Sequence, residues 1–274
     1  MNAAFRYHGS KWRMWPIIAE YVTKHTVYTE SFGGSAAILL QKPVAGIEVL
    51  NDIDGDIYNF WDCLRRHRVE FLQAIAATPY SRQLFDEVDE AKRYGRWPVD
   101  PIERALYFFV LCEQGWGGKK HSGRRSWRKQ KLAGSDVPNR AWAWAGAPDR
   151  LLEISDRLRC VFLENRPALE VIREFDGRDA LHYVDPPYPL STRARPDHGY
   201  DHEMTDDAQH VELLECCLQA KGKVVVSGMD HPVYNRILSG WHRREIQSRT
   251  ASHGYISTEV LWVSPNAIRQ PSLF

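Results

Sequence analysis

Three things are scarce in this chain of 274 residues: net charge, long apolar runs and pairable cysteines. The net charge is +1, so any surface for an acidic polymer must come from local clustering of lysine and arginine. No apolar stretch approaches the ~20 residues that span a bilayer, and the opening MNAAFRYHGSKWR has no signal-peptide core. The cysteines, Cys63, Cys112, Cys160, Cys216 and Cys217, form an odd, scattered set. The adjacent pair Cys216-Cys217 falls in a helical pattern without metal-ligand spacing, and His182, His198, His202 and His210 have no ligand spacing either. This disfavours a disulfide framework and a structural zinc, and fits reduced thiols in a cytoplasmic protein. Internal repeats and low-complexity linkers are missing, as are the Gly-x-Gly-x-x-Gly fingerprint and the Walker A loop.

What is there alternates. Strand-like runs at 27–31, 46–51, 160–164, 181–185, 223–227, 243–248 and 259–264 interleave with helical patterns at 12–23, 35–40, 54–65, 148–159, 167–175, 206–220 and 232–239. That alternation is the signature of an α/β sheet. The middle, 66–147, differs: it has helical stretches at 70–77, 83–93 and 102–114 and few β-branched runs. It then enters a segment with no acidic residue from Gln114 to Ser135, carrying Lys119, Lys120, Arg124, Arg125, Arg128, Lys129 and Lys131 among glycines, Trp116 and Trp127. We read 66–147 as a mostly helical module inserted into a core made of 1–65 and 148–274. Its basic, aromatic segment is suited to phosphate contacts, and its arginines to reading guanine edges.

The most informative motif is Asp185-Pro186-Pro187-Tyr188, directly after the apolar run 181–184. Two prolines fix φ and remove two backbone donors, which leaves carbonyls to face a ligand. The aspartate supplies an acceptor and the tyrosine a flat ring. Together they suit an exocyclic amino group on a stacked base. Upstream, Glu30-Ser31-Phe32-Gly33-Gly34 follows the first strand and leads into the predicted 35–40 helix, where glycines permit close backbone approach and a helix N-terminus favours an anion. The second strand ends at Asn51-Asp52, where an acid can bond ribose hydroxyls. The competing role for Asp52 is a helix cap, which Asp54 could fill instead.

With these pieces in order, the chain resembles the Dam-type (α-class) DNA adenine-N6 methyltransferase family. Tyr7-His8-Gly9-Ser10-Lys11 looks like that family's N-terminal Gly-Gly-Lys element, Glu30-Ser31-Phe32-Gly33-Gly34 like its cofactor loop, and Asp52 like its ribose-binding acid. A target-recognition insert ahead of Asp185-Pro186-Pro187-Tyr188 matches the family's motif order. Ser31 departs from a common proline and Ala36 from a common glycine; both are small.

The resemblance implies a Rossmann-like methyltransferase sheet, S-adenosylmethionine as cofactor and double-stranded DNA as partner. It implies cofactor contacts at Tyr7, Gly9, Lys11, Glu30, Phe32, Gly33, Gly34, Asp52 and Asp185, with Glu164 and Asn165 near the adenine ring. It implies catalytic roles for Asp185, Pro186, Pro187 and Tyr188, with the target adenine extruded from the duplex. The segment 189–203, which includes Arg193 and Arg195, is expected to form a loop that orders around DNA. The same core could serve cytosine N4 or RNA, or a regulator that binds DNA without catalysis. The tail Gln270-Pro271-Ser272-Leu273-Phe274 resembles short peptides that dock on the bacterial replication sliding clamp.

Overall fold

The computed structural model describes residues 2–7, 9–116, 126–129, 139–189, 204–249 and 256–268. Its strands are β1 (Val27–Glu30), β2 (Ile47–Asn51), β3 (Val161–Glu164), β4 (Ala180–Val184), β5 (Lys223–Met229), β6 (His242–Arg249) and β7 (Ile256–Val263). Its α-helices are α1 (Trp15–Ile18), α2 (Gly55–Arg66), α3 (Arg68–Ala77), α4 (Arg82–Arg93), α5 (Pro101–Gln114), α6 (Arg140–Ala145), α7 (Ala147–Arg157), α8 (Ala168–Glu174), α9 (Asp207–Gln219) and α10 (Pro232–Ile237).

The strands form one seven-stranded sheet in the order β3-β2-β1-β4-β5-β7-β6. β1 runs parallel to both β2 and β4, and β4 parallel to β5; β7 is antiparallel to β5 and to β6. The sheet is therefore mixed, and the fold is α/β as the alternating pattern predicts. The central strands read as apolar runs because both faces are covered: all five residues of β4 are buried, as are Val224, Val225 and Val226 of β5.

Contacts divide the chain into two compact units. A helical unit comprises Met1–Trp12, Gly34–Gln41 and Asp54–Leu163, and a sheet unit comprises Arg13–Gly33, Lys42–Ile53 and Glu164–Phe274. In the helical unit an aromatic cluster of Phe5, Phe60, Phe71, Phe108 and Phe109 makes edge and stacked contacts with ring centroids 4.8–5.8 Å apart. Buried Asp56 ties α2 to α4 and α5, accepting from Lys92 Nζ at 2.8 Å, Trp97 Nε1 at 2.9 Å and Arg104 Nε at 2.7 Å. In the sheet unit Ile172 of α8, Leu213, Leu214 and Cys217 of α9, Tyr234 of α10 and Leu238 just after it pack against Val184, Val226, Val260 and Trp262.

Two predicted helices are not helices over their full span. The 12–23 segment is a short 3₁₀ turn, then α1, then i→i−3 turns through Val22 that set the Tyr21 hydroxyl 3.1 Å from His242 Nε2 on β6. The 35–40 segment is a succession of turns, because Gly34 (φ +46°) and Ala36 (φ +53°) are left-handed. An L-residue in that region breaks helical continuity, so no helix N-terminus follows the glycines.

Candidate active site

The carboxyl edge of the parallel strands is built by register. Glu30 of β1 lies opposite Leu50 of β2 on one side and Tyr183 of β4 on the other. Asp52 and Asp185 directly follow the carboxyl ends of β2 and β4, and Phe32 lies two residues past the end of β1 between them. On the β4 side the pairing continues past the strand end, where Ser31 N–H donates to the Tyr183 carbonyl at 3.3 Å; on the β2 side Gly33 N–H donates to the Asn51 carbonyl at 2.7 Å, one residue beyond the regular register. β1 is also where the chain order reverses, with β2 on one flank and β4 on the other. Open α/β sheets bind ligands at such a switch point.

Asn51 locks this edge. It is fully buried, and its Nδ2 donates to the carbonyls of Ser31 (2.9 Å) and Arg166 (3.0 Å) while its Oδ1 accepts from Arg166 N–H at 3.0 Å. Asp52 N–H donates to the Glu164 carbonyl at 3.2 Å, and Asn165 Nδ2 donates to the Asp52 carbonyl at 2.7 Å. Asp52, Glu164 and Asn165 thus come together, with Glu164 also 3.0 Å from Arg166 Nε. The cap of α2 is Asp54, whose carboxylate accepts from Asp56 N–H and Ile57 N–H. The N-cap residue of α2 is thus Asp54 and not Asp52.

Glycine is needed at 33 because a Cβ there would lie 2.6 Å from Leu50 Cδ1 and 2.9 Å from the Asn51 carbonyl oxygen. Glu30 is buried and accepts the Tyr28 hydroxyl at 3.0 Å. The buried Tyr28 phenol is held well above its usual range by burial and by Glu30.

In the helical unit, the other predicted cofactor residues form their own group. The Tyr7 ring lies where a Cβ on Gly34 would come within 3.2 Å, and Ser10 and Ser35 hydroxyls meet at 2.8 Å. Lys11 is buried and its Nζ donates to the Gly9 carbonyl at 2.7 Å.

Asp185 follows β4, opposite Ser227 of β5 by continuation of the pairing of Val184 with Val226. Ser227 donates its hydroxyl to Asp185 Oδ1 at 2.7 Å, and the Tyr183 and Ser227 hydroxyls are 2.9 Å apart. Pro186 is buried, and Asp185, Pro187 and Tyr188 are partly exposed. Ser227, Tyr183 and the bracing side chain of Asn51 adjoin the predicted site residues, and motif reading missed them. The only hint in the sequence is a hydroxyl at the end of the Val224-Val225-Val226 run.

Of the predicted DNA contacts, Arg128 and Lys129 are described. Residues 114–116 and 126–128 form a short antiparallel ladder: Gly115 bridges Trp127, Trp116 N–H donates to Ser126 at 2.8 Å, and Arg128 N–H donates to Gln114 at 2.9 Å. The Arg128 guanidinium stacks 4.9 Å from the centre of Trp116, and Arg82 4.9 Å from that of Trp127. Burial and then the neighbouring Arg6 push Arg128 below its ordinary range. Lys129 is exposed. Lys119, Lys120, Arg124, Arg125, Lys131, Arg193, Arg195, His8 and the tail 270–274 lie outside the described residues.

Among the described residues no group of His, Cys, Asp and Glu could hold a metal ion, and no helix is long and apolar enough to cross a membrane. A search of curated proteins finds no match. A family model described as D12 class N6 adenine-specific DNA methyltransferase matches residues 7–251. Spanning most of the chain and agreeing with a mixed α/β sheet that carries Asp-Pro-Pro-Tyr at a strand end, that match makes the chain a member of the D12 class of N6 adenine-specific DNA methyltransferases.

Proposed function

We propose that the carboxyl edge of the sheet unit carries both cofactor and target base, with Asp185, Pro186, Pro187 and Tyr188 as the catalytic residues. The observation that carries this reading is that Phe32, Asp52 and Asp185 follow the carboxyl ends of three adjacent strands.

The donor set fits S-adenosylmethionine. Asp52 offers a carboxylate for a ribose diol, Phe32 an apolar wall, and Asp185 a negative charge for a cationic ligand, and all three are partly open to solvent. When bound, that cofactor supplies an electrophilic sulfonium methyl. Glu164 and Asn165, adjoining Asp52, are assigned to its adenine end, and Tyr7, Gly9, Lys11, Glu30, Gly33 and Gly34 to the rest by motif.

Adenine N6 is a weak nucleophile because its lone pair is delocalised into the ring. The Asp185 carboxylate and the Pro186 carbonyl accept the two N6 hydrogens, localising the lone pair on nitrogen and aiming it. Positioning and fixed dipoles at the reacting nitrogen therefore carry the step. Tyr188 stacks on the extruded base, since an adenine within the duplex cannot reach the site. Residues 66–147, with 189–203, are assigned to DNA recognition, with phosphate or base contacts at Lys119, Lys120, Arg124, Arg125, Arg128, Lys129, Lys131, Arg193 and Arg195. The tail 270–274 is assigned to docking on a replication sliding clamp.

The test is incubation with unmethylated double-stranded DNA and labelled S-adenosylmethionine, digestion to nucleosides and mass spectrometry. N6-methyladenine from the unaltered protein and none from a folded Asp185→Ala variant is the expected result. Full activity in Asp185→Ala would refute the assignment of the site. N4-methylcytosine as product would refute the base.

A further inference from the structure

We infer that Ser227, backed by Tyr183, is a positioning pair that orients the Asp185 carboxylate for methyl transfer. The inference rests on the reading of Asp185 as the residue that grips the target amine.

Three hydroxyl and carboxylate groups from two adjacent strands form a directed chain. An ionised carboxylate only accepts hydrogen bonds, so the single Ser227 proton goes to Asp185 Oδ1, 2.7 Å away. Ser227 Oγ can then only accept from Tyr183, whose hydroxyl is 2.9 Å away. Both donors point toward the carboxylate, and each bond polarises the next.

The place is costly for polar groups. Ser227 is fully buried and Tyr183 nearly so, beside a run of three valines on the central strand β5. A buried hydroxyl is tolerated only when it is hydrogen-bonded, and an apolar side chain would fill the same space at less cost. The hydroxyl at 227 fixes something that packing does not require: the rotation of a carboxylate at the end of the neighbouring strand. Asp185 follows β4 and precedes two prolines, so its backbone is stiff. Its side-chain torsion is the remaining freedom, and Ser227 removes it. A carboxylate that must meet one hydrogen of a bound amine loses rate steeply when misaligned.

The experiment is single-turnover methylation at saturating DNA and cofactor, with dissociation constants for both measured separately. Ser227→Ala is expected to slow the methyl-transfer step by roughly ten- to a hundredfold while both dissociation constants stay within about twofold. Tyr183→Phe, which keeps the ring and its packing, is expected to show a smaller loss. The double variant is expected to be no slower than Ser227→Ala alone, because Tyr183 acts through Ser227. A merely structural role would give additive losses and weakened binding. An unaltered rate in Ser227→Ala, or losses that multiply in the double variant, would overturn the inference. Asp185→Ala run in parallel separates the two readings: an inactive Asp185→Ala beside a fully active Ser227→Ala removes only the positioning pair, whereas an active Asp185→Ala removes the site itself.

Discussion

Asn51 and Arg166 exchange two hydrogen bonds of 3.0 Å each, Arg166 N–H donating to Oδ1 and Nδ2 donating to the Arg166 carbonyl. The same Nδ2 reaches the Ser31 carbonyl, so one buried side chain staples the ends of β1 and β2 to the turn after β3. Both partners of Nδ2 are carbonyls, which settles the orientation of the amide. Asn51→Ala would leave two carbonyls and one N–H without these bonds in a buried position. The expected loss of stability is about 2–4 kcal/mol, read from urea unfolding. Asn51→Asp is expected to be at least as damaging, since it sets a carboxylate against two carbonyl oxygens. Midpoints near that of the unaltered protein in both variants would show that the staple carries no weight.

A second buried group makes the fold sensitive to acid. His182 is fully buried between Thr29 Oγ1, 2.8 Å from Nδ1, and Asp176 Oδ1, 3.3 Å from Nε2. Burial pulls His182 below its ordinary range, and the pull of Asp176 in the other direction does not offset it. Burial alone would raise Asp176. The Lys221 and Gly222 N–H groups and His182 outweigh that effect and hold it below the ordinary range. The signs follow from linkage. Below about pH 6.5 an unfolded histidine takes up a proton that buried His182 does not. Stability therefore falls as pH drops through that region, and the Asp176 contribution is lost only in stronger acid. Urea unfolding at pH 5.5 and 7.5 (about one unit either side of the histidine range) should give lower stability at the acid value. His182→Gln should narrow the difference; an unchanged difference would mean that other groups set it.

On the DNA side, the two described cations differ in kind. Exposed Lys129 is a point charge, and Lys129→Ala is expected to reduce the slope of log affinity against log salt by about 0.9, with the same weakening on every sequence. Arg128 is half-buried, and its guanidinium is already oriented by Trp116. Arg128→Ala is therefore expected to cost more affinity than Lys129→Ala. Fluorescence anisotropy across a salt series measures both, and equal effects would argue against a pre-organised arginine.

For the tail, removal of residues 270–274 is expected to abolish binding to a purified sliding clamp and leave the methylation rate on naked DNA unchanged. Undiminished clamp binding would dismiss the assignment.

Asp185-Pro186-Pro187-Tyr188, Asp52 and the alternation of strands and helices were legible in the linear chain because their physics is local. Proline chemistry, apolar runs and capping residues act within a few positions of one another. The same local reading failed at 35–40, where Ser-Ala-Ala-Ile-Leu-Leu has helical character. There the left-handed Ala36 and the packing of Gly34 and Ser35 against Tyr7 and Ser10 override propensity.

The sequence by itself determined the class of chemistry, since a rigid acid-proline-proline-aromatic motif after a buried strand is specific at the level of residues. Only the tertiary structure decided which strands are neighbours, and with them the partners of Asp185 and Asp52. Ser227 is 42 residues from Asp185 and Asn165 is 113 from Asp52. Those pairings follow from sheet order and register, which nothing in the flanking residues encodes.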